Sequence, residues 1–280
     1  MDESPGSVGE SAGSVGESPA SVGAESSASV GAEWPASVGA AAQVFVYDLE
    51  SLALSDADLH HLDKVLRLRS GELVVSADGN GRWRRSRLVR TRDGANASGV
   101  HLEVDGAIVV SDPPRPKVTV GLVATKGSRP DWAVQKLTEV GVDRIAILRS
   151  ERAVVQWDGE RGTRAVERLR RVAREAAAQS RRTYLPDVTG VQSVRELAAE
   201  LAPVSLGLAH LGGDPPDLAV PAIAVGPEGG WAESELVAAG PLVGLGPTVL
   251  RGETAAVAAG VMMCALRNHV VGQVPRRTKE

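Results

Sequence analysis

Two glycine-containing passages near the C-terminus carry residue types suited to holding a ligand. Gly226-Pro227-Glu228-Gly229-Gly230 follows an apolar run and precedes a helical pattern. Leu245-Gly246-Pro247 leads into Leu250-Arg251-Gly252-Glu253-Thr254-Ala255-Ala256, again from an apolar run into a helix. Glycine lets backbone amides approach a ligand closely, and in open α/β sheets ligands bind at the carboxyl ends of strands. The passages lie either side of one helix, which predicts a single pocket. The first is neither a Walker A sequence nor G-x-G-x-x-G, so the glycines alone do not predict a nucleotide phosphate; an ordinary strand-to-helix turn has the same look.

Arginine is the second chemical signal. Arg161, Arg164, Arg168 and Arg171 recur at spacings of three, four and three, which places four guanidinium groups along one helix face. Val166, Leu169, Ala173 and Ala176 form the opposing apolar stripe, and Gln179-Ser180-Arg181-Arg182 follows. Two readings are open: a solvated face partnered by Glu160, Glu167 and Glu175, or a surface tracking phosphates. Arg82, Arg84, Arg85, Arg87, Arg90 and Arg92 form another group, with Trp83 interleaved. Arginine beside an aromatic ring suits phosphate contact and base stacking. Two clusters on separate parts of the chain favour a nucleic-acid polyanion. His60-His61 has no carboxylate or cysteine companion and is expected to be structural or RNA-facing, not a metal site. Cys264 sits within an apolar helix, and no nucleophile of the Ser/His/Asp or Cys type is arguable.

The elements that must position these residues fall into two blocks. Val44-Phe45-Val46, Glu72–Val75, Trp83–Val89 and His101–Val104 read as strands, and Asp58–Leu68 as a helix. Asp78-Gly79-Asn80-Gly81 is a hairpin turn signal. This predicts a small, mostly β domain over residues 44–112, followed by a stiff proline-rich linker over 113–117. Residues 118–272 then alternate strand and helix. Strands are expected at 118–123, 145–148, 204–208, 222–225 and 242–245. Helices are expected at 130–140, 160–182, from a Ser193/Glu196 capping box, at 233–239 and at 253–268. The fold class is α/β with a mainly parallel sheet.

The chain has 280 residues, 31 basic and 35 acidic, for a net charge of −4. Six of the acids, and none of the bases, lie in residues 1–43; without that stretch the remaining 237 residues carry +2. The acidic balance therefore does not exclude RNA. Ser-Val-Gly recurs at Ser7, Ser14, Ser21, Ser29 and Ser37, with one valine per unit, too little apolar surface to offset ordering entropy. Residues 1–43 are expected to be a disordered tail, and 273–280 a flexible end. No Met occurs between Met1 and Met262, which raises the expectation of a start near Val44. One cysteine excludes an intrachain disulfide framework and a cysteine-based zinc cluster. With no apolar stretch of ~18 residues and no secretory signal, the expected setting is cytoplasmic, without membrane or metal.

Taken in order, these motifs resemble a known family. Lys126-Gly127, Asp131 through Lys136, Thr138 through Val142, Arg174-Glu175-Ala176-Ala177, Gln179 through Arg182, and the two glycine passages resemble the RsmE-type 16S ribosomal RNA (uracil-N3) methyltransferases. His61-Leu62, Val65-Leu66-Arg67 and Gly71-Glu72 resemble that family's N-terminal domain, and the resemblance spans about residues 44–270. It implies a SPOUT methyltransferase domain with a C-terminal trefoil knot, preceded by a small PUA-like β-barrel, in a homodimer acting on 16S rRNA or the small ribosomal subunit. It implies S-adenosylmethionine as cofactor, held by Gly226, Pro227, Glu228, Gly229, Gly230, Leu245, Gly246 and Leu250, with Thr254 and Ala255. Arg251 is expected to stabilise the uracil anion that forms as N3 is methylated, with Glu228 or Glu253 assisting proton removal. Arg82, Arg84, Arg85, Arg87, Arg164, Arg168, Arg171, Arg181 and Arg182 are expected to meet RNA. Gly252 departs from the family pattern, where Ala is more usual, and residues 1–43 have no counterpart in it. Two other readings stand beside it: a catalytically inactive RNA-binding module of the same fold, which would not bind S-adenosylmethionine, and a Rossmann-type enzyme, whose glycine fingerprint is lacking here.

Overall fold

The computed structural model describes residues 35–91 and 99–272. The expectations for residues 1–34, Arg92 and 273–280 lie outside the described residues. Strand β1 (Ala42–Phe45) is followed by helix α1 (Asp56–His60), where the Ser55 side chain accepts from the Asp58 N–H. A π-type turn over His61–Val65 extends α1. The helix expected at 58–68 stops short because Arg67 adopts φ +53°, a left-handed conformation that no helix continues through. Strands β2 (Leu73–Ala77), β3 (Arg82–Arg90), β4 (Val100–Val104) and β5 (Val109–Val110) complete a five-stranded sheet. β1 runs parallel to β2, and the other pairings are antiparallel. The β2–β3 turn forms as its composition predicts. Asp78 Oδ1 accepts from the N–H groups of Asn80 (2.7 Å) and Arg82 (3.1 Å), and Gly79 and Gly81 supply φ of +79° and +95°.

The second sheet is wholly parallel. Its elements are β6 (Thr119–Val123), α2 (Arg129–Glu139), β7 (Arg144–Arg149), α3 (Gly159–Gln179), β8 (Asp187–Val188), β9 (Gln192–Ser193), α4 (Val194–Leu201), β10 (Leu206–Asp214), β11 (Ala222–Val225), α5 (Glu233–Ala238), β12 (Leu242–Val243) and α6 (Gly252–Arg267). The strand order is β12-β10-β11-β6-β7-β8, with β9 beside β7. β6 and β11 are buried at every position, which is why they read as unbroken apolar runs without alternation. One face packs against α2, α3 and α6 around Leu137, Leu169 and Met263, and the other against α4 and Trp231. The Ser193/Glu196 capping box opens α4 as expected. Because β6, β10, β11 and β12 are parallel neighbours, the segments leaving their carboxyl ends emerge along one edge. Among the described residues no helix is long and apolar enough to cross a membrane.

The C-terminal end of α3 grips the small sheet. Ala177 packs with Phe45, Val75, Ala77 and Trp83. Arg174 Nη2 donates to the Phe45 carbonyl (2.6 Å), and its guanidinium lies 5.3 Å from that ring's centroid. Gln43 Nε2 donates to Arg182 O (2.6 Å), and Arg181 Nη2 to Ala40 O (2.8 Å). Two expectations are corrected by these contacts. Residues 35–43, expected to belong to a disordered tail, contain a 3-10 turn at Pro35–Val38 and the first half of β1. Arg181, expected to meet RNA, spends its guanidinium on the junction, where burial lowers its pKa.

Candidate functional site

The glycine passages converge as predicted. Segments from β10, β11, β12 and the start of α6 enclose a cavity of about 410 Å³, within the range of small-ligand pockets. Gly226, Pro227, Glu228 and Gly230 form one wall, and Leu245, Gly246, Leu250, Arg251 and Ala255 another. Gly229, Glu253 and Thr254, expected alongside them, are not on the wall. Ala209, His210 and Leu211 are on it although the expected strand ends at 208, because β10 continues to Asp214 beyond the apolar run that marks its start.

Local chemistry holds each wall in place. A methyl group at Gly226 would sit 2.9 Å from the Trp231 indole, so the loop closes over that ring only because residue 226 has no side chain. Trp231 is itself fixed by Nε1–H donation to Ala209 O (3.2 Å). Glu235 is buried and ties the segment to the turn after β7: it accepts from Ala232 N–H (2.8 Å), the Ser150 hydroxyl (3.2 Å) and Glu151 N–H (3.2 Å). Gly246 has φ +127°, a conformation that side chains rarely tolerate. Arg251 is the N-cap residue of α6, exposed and without an ion-pair partner among the described residues.

A second cavity, of about 510 Å³, adjoins the first and shares Pro227 and Glu228 with it. Lys126 in the segment joining β6 to α2 and Arg129 at the start of α2 line it together with Val154 and Val155. Arg129 stands between two carboxylates, 3.7 Å from Glu228 Oε1 and 3.7 Å from Glu253 Oε1. Glu253 is 13% exposed, and its Oε2 is buried without a hydrogen-bond partner. Arg129 had no signal in the sequence beyond being one arginine at a helix start. Only the fold shows that it faces two acids about 100 and 120 residues downstream.

The arginines expected to bind RNA separate into two kinds. Arg84 is 8% exposed and donates to Leu49 O (3.1 Å) and Gly106 O (2.7 Å), pairing also with Glu50 (2.9 Å). Arg182 donates to Thr138 O (2.9 Å) and Val142 O (2.7 Å) beside Asp143; burial lowers its pKa, and Asp143 opposes the shift. Both serve the fold, their guanidinium groups satisfying internal carbonyls of loops and helix ends, and both expectations are corrected. Arg82, Arg85, Arg87, Arg164, Arg168 and Arg171 are exposed. Arg87 pairs with Asp105 (3.0 Å), Arg164 with Glu160 (2.6 Å) and Arg168 with Asp131 (3.0 Å). Among the described residues, no group of three or more His, Cys, Asp or Glu could hold a metal ion.

Residues 112–263 match the model of the RNA methyltransferase domain. The chain is 38% identical over 229 residues to ribosomal RNA small subunit methyltransferase E of Mycobacterium bovis, covering 76% of this chain and 86% of that one. It is 32% identical to the protein of that name from Synechocystis, over 77% of this chain and 73% of the other. The Neisseria gonorrhoeae enzyme of the same name, solved with S-adenosylmethionine, superposes with a TM-score of 0.67 at 27% identity, over 81% of this chain and 97% of its own. A Legionella pneumophila methyltransferase solved with the same cofactor gives 0.68 at 25%, over 80% and 96%. With the glycine-walled cavity inside the matched region, the chain belongs to the ribosomal RNA small subunit methyltransferase E family.

Proposed function

We propose that this protein transfers a methyl group from S-adenosylmethionine to N3 of a uridine in 16S rRNA of the small ribosomal subunit. The observation that carries the reading is the pair of joined cavities, one walled by glycines and one lined by cations, with Glu228 common to both. The first cavity suits the cofactor. Val225, Leu245, Leu250 and Ala255 offer apolar surface to an adenine, and nothing lies within 4 Å of where a Gly230 or Gly246 side chain would begin. Gly226, Pro227, Glu228 and Gly230, with Leu245, Gly246 and Leu250, are the residues we assign to holding it. S-adenosylmethionine held there would supply an electrophilic sulfonium methyl to N3, and the S–C bond would break to leave a neutral thioether.

The chain's residues supply the rest. Uracil N3 is a poor nucleophile while protonated, so its proton must go and the resulting charge on the uracil carbonyl oxygens must be stabilised. Arg251, uncompensated at the cavity wall, is placed to do the second task electrostatically. Of the two carboxylates proposed for the first, Glu228 is favoured, because it is exposed at the junction of the cavities while Glu253 is enclosed behind Arg129. Arg129 positions both acids. The second cavity would seat the uridine, splayed out of its RNA so that N3 is accessible.

The small domain over 44–112, joined by 113–117, is read as a PUA-like RNA-binding module. Residues 118–272 are read as a SPOUT domain whose C-terminal part forms a trefoil knot and which pairs into a cytoplasmic homodimer. The two sheets and the convergence of the β10, β11 and β12 segments on α6 support this architecture. The test is methylation of 16S rRNA by the purified protein, with nucleosides resolved by mass spectrometry. One 3-methyluridine is expected, and its absence refutes the reading. Arg251→Ala should bind the cofactor normally by calorimetry and lose about 10²–10³-fold in turnover; full methylation by that variant would remove Arg251 from the mechanism.

A further inference from the structure

The second cavity is not the end of the depression. At Ser128 it meets a groove of about 550 Å³ between α2 and α3, lined by Trp132 and Gln135 on one side and Val172, Glu175 and Gln179 on the other. Trp132 is 44% exposed, whereas Trp83, Trp157 and Trp231 are buried. An indole left half in water, beside a cavity, forgoes burial that the other three obtain. Gln135, Gln179 and Glu175 offer hydrogen-bonding groups along the groove, and Asp131 in its lining is paired with Arg168. The face of α3 beyond it carries Arg164, Arg168 and Arg171, all exposed, and Arg171 has no ion-pair partner among the described residues.

We propose that this groove is a subsite for the base next to the target uridine, stacked on Trp132, with the strand's phosphates directed along the arginines of α3. The inference rests on the RNA methyltransferase reading above. Cofactor cavity, uridine cavity and groove adjoin one another, sharing Pro227–Glu228 and then Ser128, so a strand whose uridine enters the second cavity can set the neighbouring base against Trp132. An exposed aromatic face takes any base by stacking, while flanking amide and carboxylate groups can read its edge. Trp132 is thereby a substrate-positioning residue, remote from methyl transfer itself.

The experiment uses the full chain, Trp132→Ala and Trp132→Phe, with a short single-stranded RNA containing one uridine and the same RNA made abasic beside that uridine. Trp132→Ala should bind intact RNA about 5- to 100-fold more weakly, the range of one base–aromatic stack. It should raise KM with kcat at saturation preserved, and it should bind S-adenosylmethionine as wild type does. Trp132→Phe should retain most of the affinity. The abasic RNA should bind wild type and Trp132→Ala equally. Wild-type affinity in Trp132→Ala, an equal loss on abasic RNA, or a change in oligomeric state would overturn the subsite while leaving the methyltransferase reading intact. A wild-type protein that neither binds nor methylates RNA would overturn both.

Discussion

Adding one methyl group at Gly226 tests how the first cavity is built. The alanine Cβ would lie 2.9, 3.1 and 3.2 Å from three carbons of the Trp231 indole, against an optimal carbon–carbon separation of about 3.5–4.0 Å. The ring is rigid and cannot bend away at its tip, so it must retreat as a unit by roughly 0.5–1 Å to restore ordinary contact. Its Nε1–H donation to Ala209 O is already 3.2 Å long, at the far end of the normal range, so any shift that lengthens it breaks it. Overpacking costs about 1–3 kcal/mol and the lost hydrogen bond about 0.5–1.5 kcal/mol. A total of about 3 kcal/mol corresponds to roughly 6–12 °C in melting temperature for a domain of this size. Gly226→Ala should therefore melt lower and bind S-adenosylmethionine more weakly, since Gly226, Trp231 and Ala209 all line the cavity. The cause is checked by repeating the substitution in a Trp231→Phe background, where the smaller ring leaves room and the loss should shrink by more than half. If Gly226→Ala costs the same with phenylalanine at 231, the glycine–indole contact is not what shapes the cavity.

Three further outcomes follow from the packing around α6. Asp143 accepts from Val118 N–H (2.8 Å) and pairs with buried Arg267, with Arg182 at 3.6 Å; Asp143→Ala strands two buried cations and should cost about 3–5 kcal/mol in urea unfolding. Burial raises the Cys264 thiol from 9.0 to about 11. The folded state thus holds a proton that the unfolded state has lost between those values, and stability falls as pH rises through that window, by about 2–3 kcal/mol in all; urea titrations at pH 8.5 and 10.5 should show a smaller drop in Cys264→Ala than in wild type. At Gly252 an alanine Cβ would meet only Gly226 O, at 3.7 Å, so Gly252→Ala should stabilise by about 0.4–1 kcal/mol through the unfolded chain, raising the melting temperature by a few degrees.

The same residue type shows where the sequence is readable and where it is not. On β3, period-two alternation marks which face each residue takes, yet it does not say that Arg84 turns inward to satisfy the carbonyls of Leu49 and Gly106. That need arises from loops whose path is set by contacts far away in sequence. Arg181 and Arg182 continue a helix studded with exposed arginines and look like more of the same. The chain leaves α3 at Gln179, however, and Arg181 takes φ +59°, swinging both side chains into the junction with β1 and the end of α2. Helix periodicity stops being informative where the helix stops.

The glycine passages were legible for the opposite reason. A strand buried on both faces, followed by glycines and then a helix, is a local pattern with a local cause, and parallel neighbours bring the ends of such strands together wherever they occur in the chain. What remained hidden were groups whose surroundings are set by elements far away in the chain. Arg129 answers Glu228 and Glu253, and Trp132 is exposed because α3 passes it without covering it. Trp132 and Leu137 both lie on α2, yet Leu137 is fully buried and Trp132 is not. The apolar character of the two is the same, and the difference lies entirely in which neighbour each helix face meets. An exposed aromatic on a strongly amphipathic helix is therefore visible as an anomaly only after the fold is known, which is why the groove beside it is where the chain's substrate contacts are best sought.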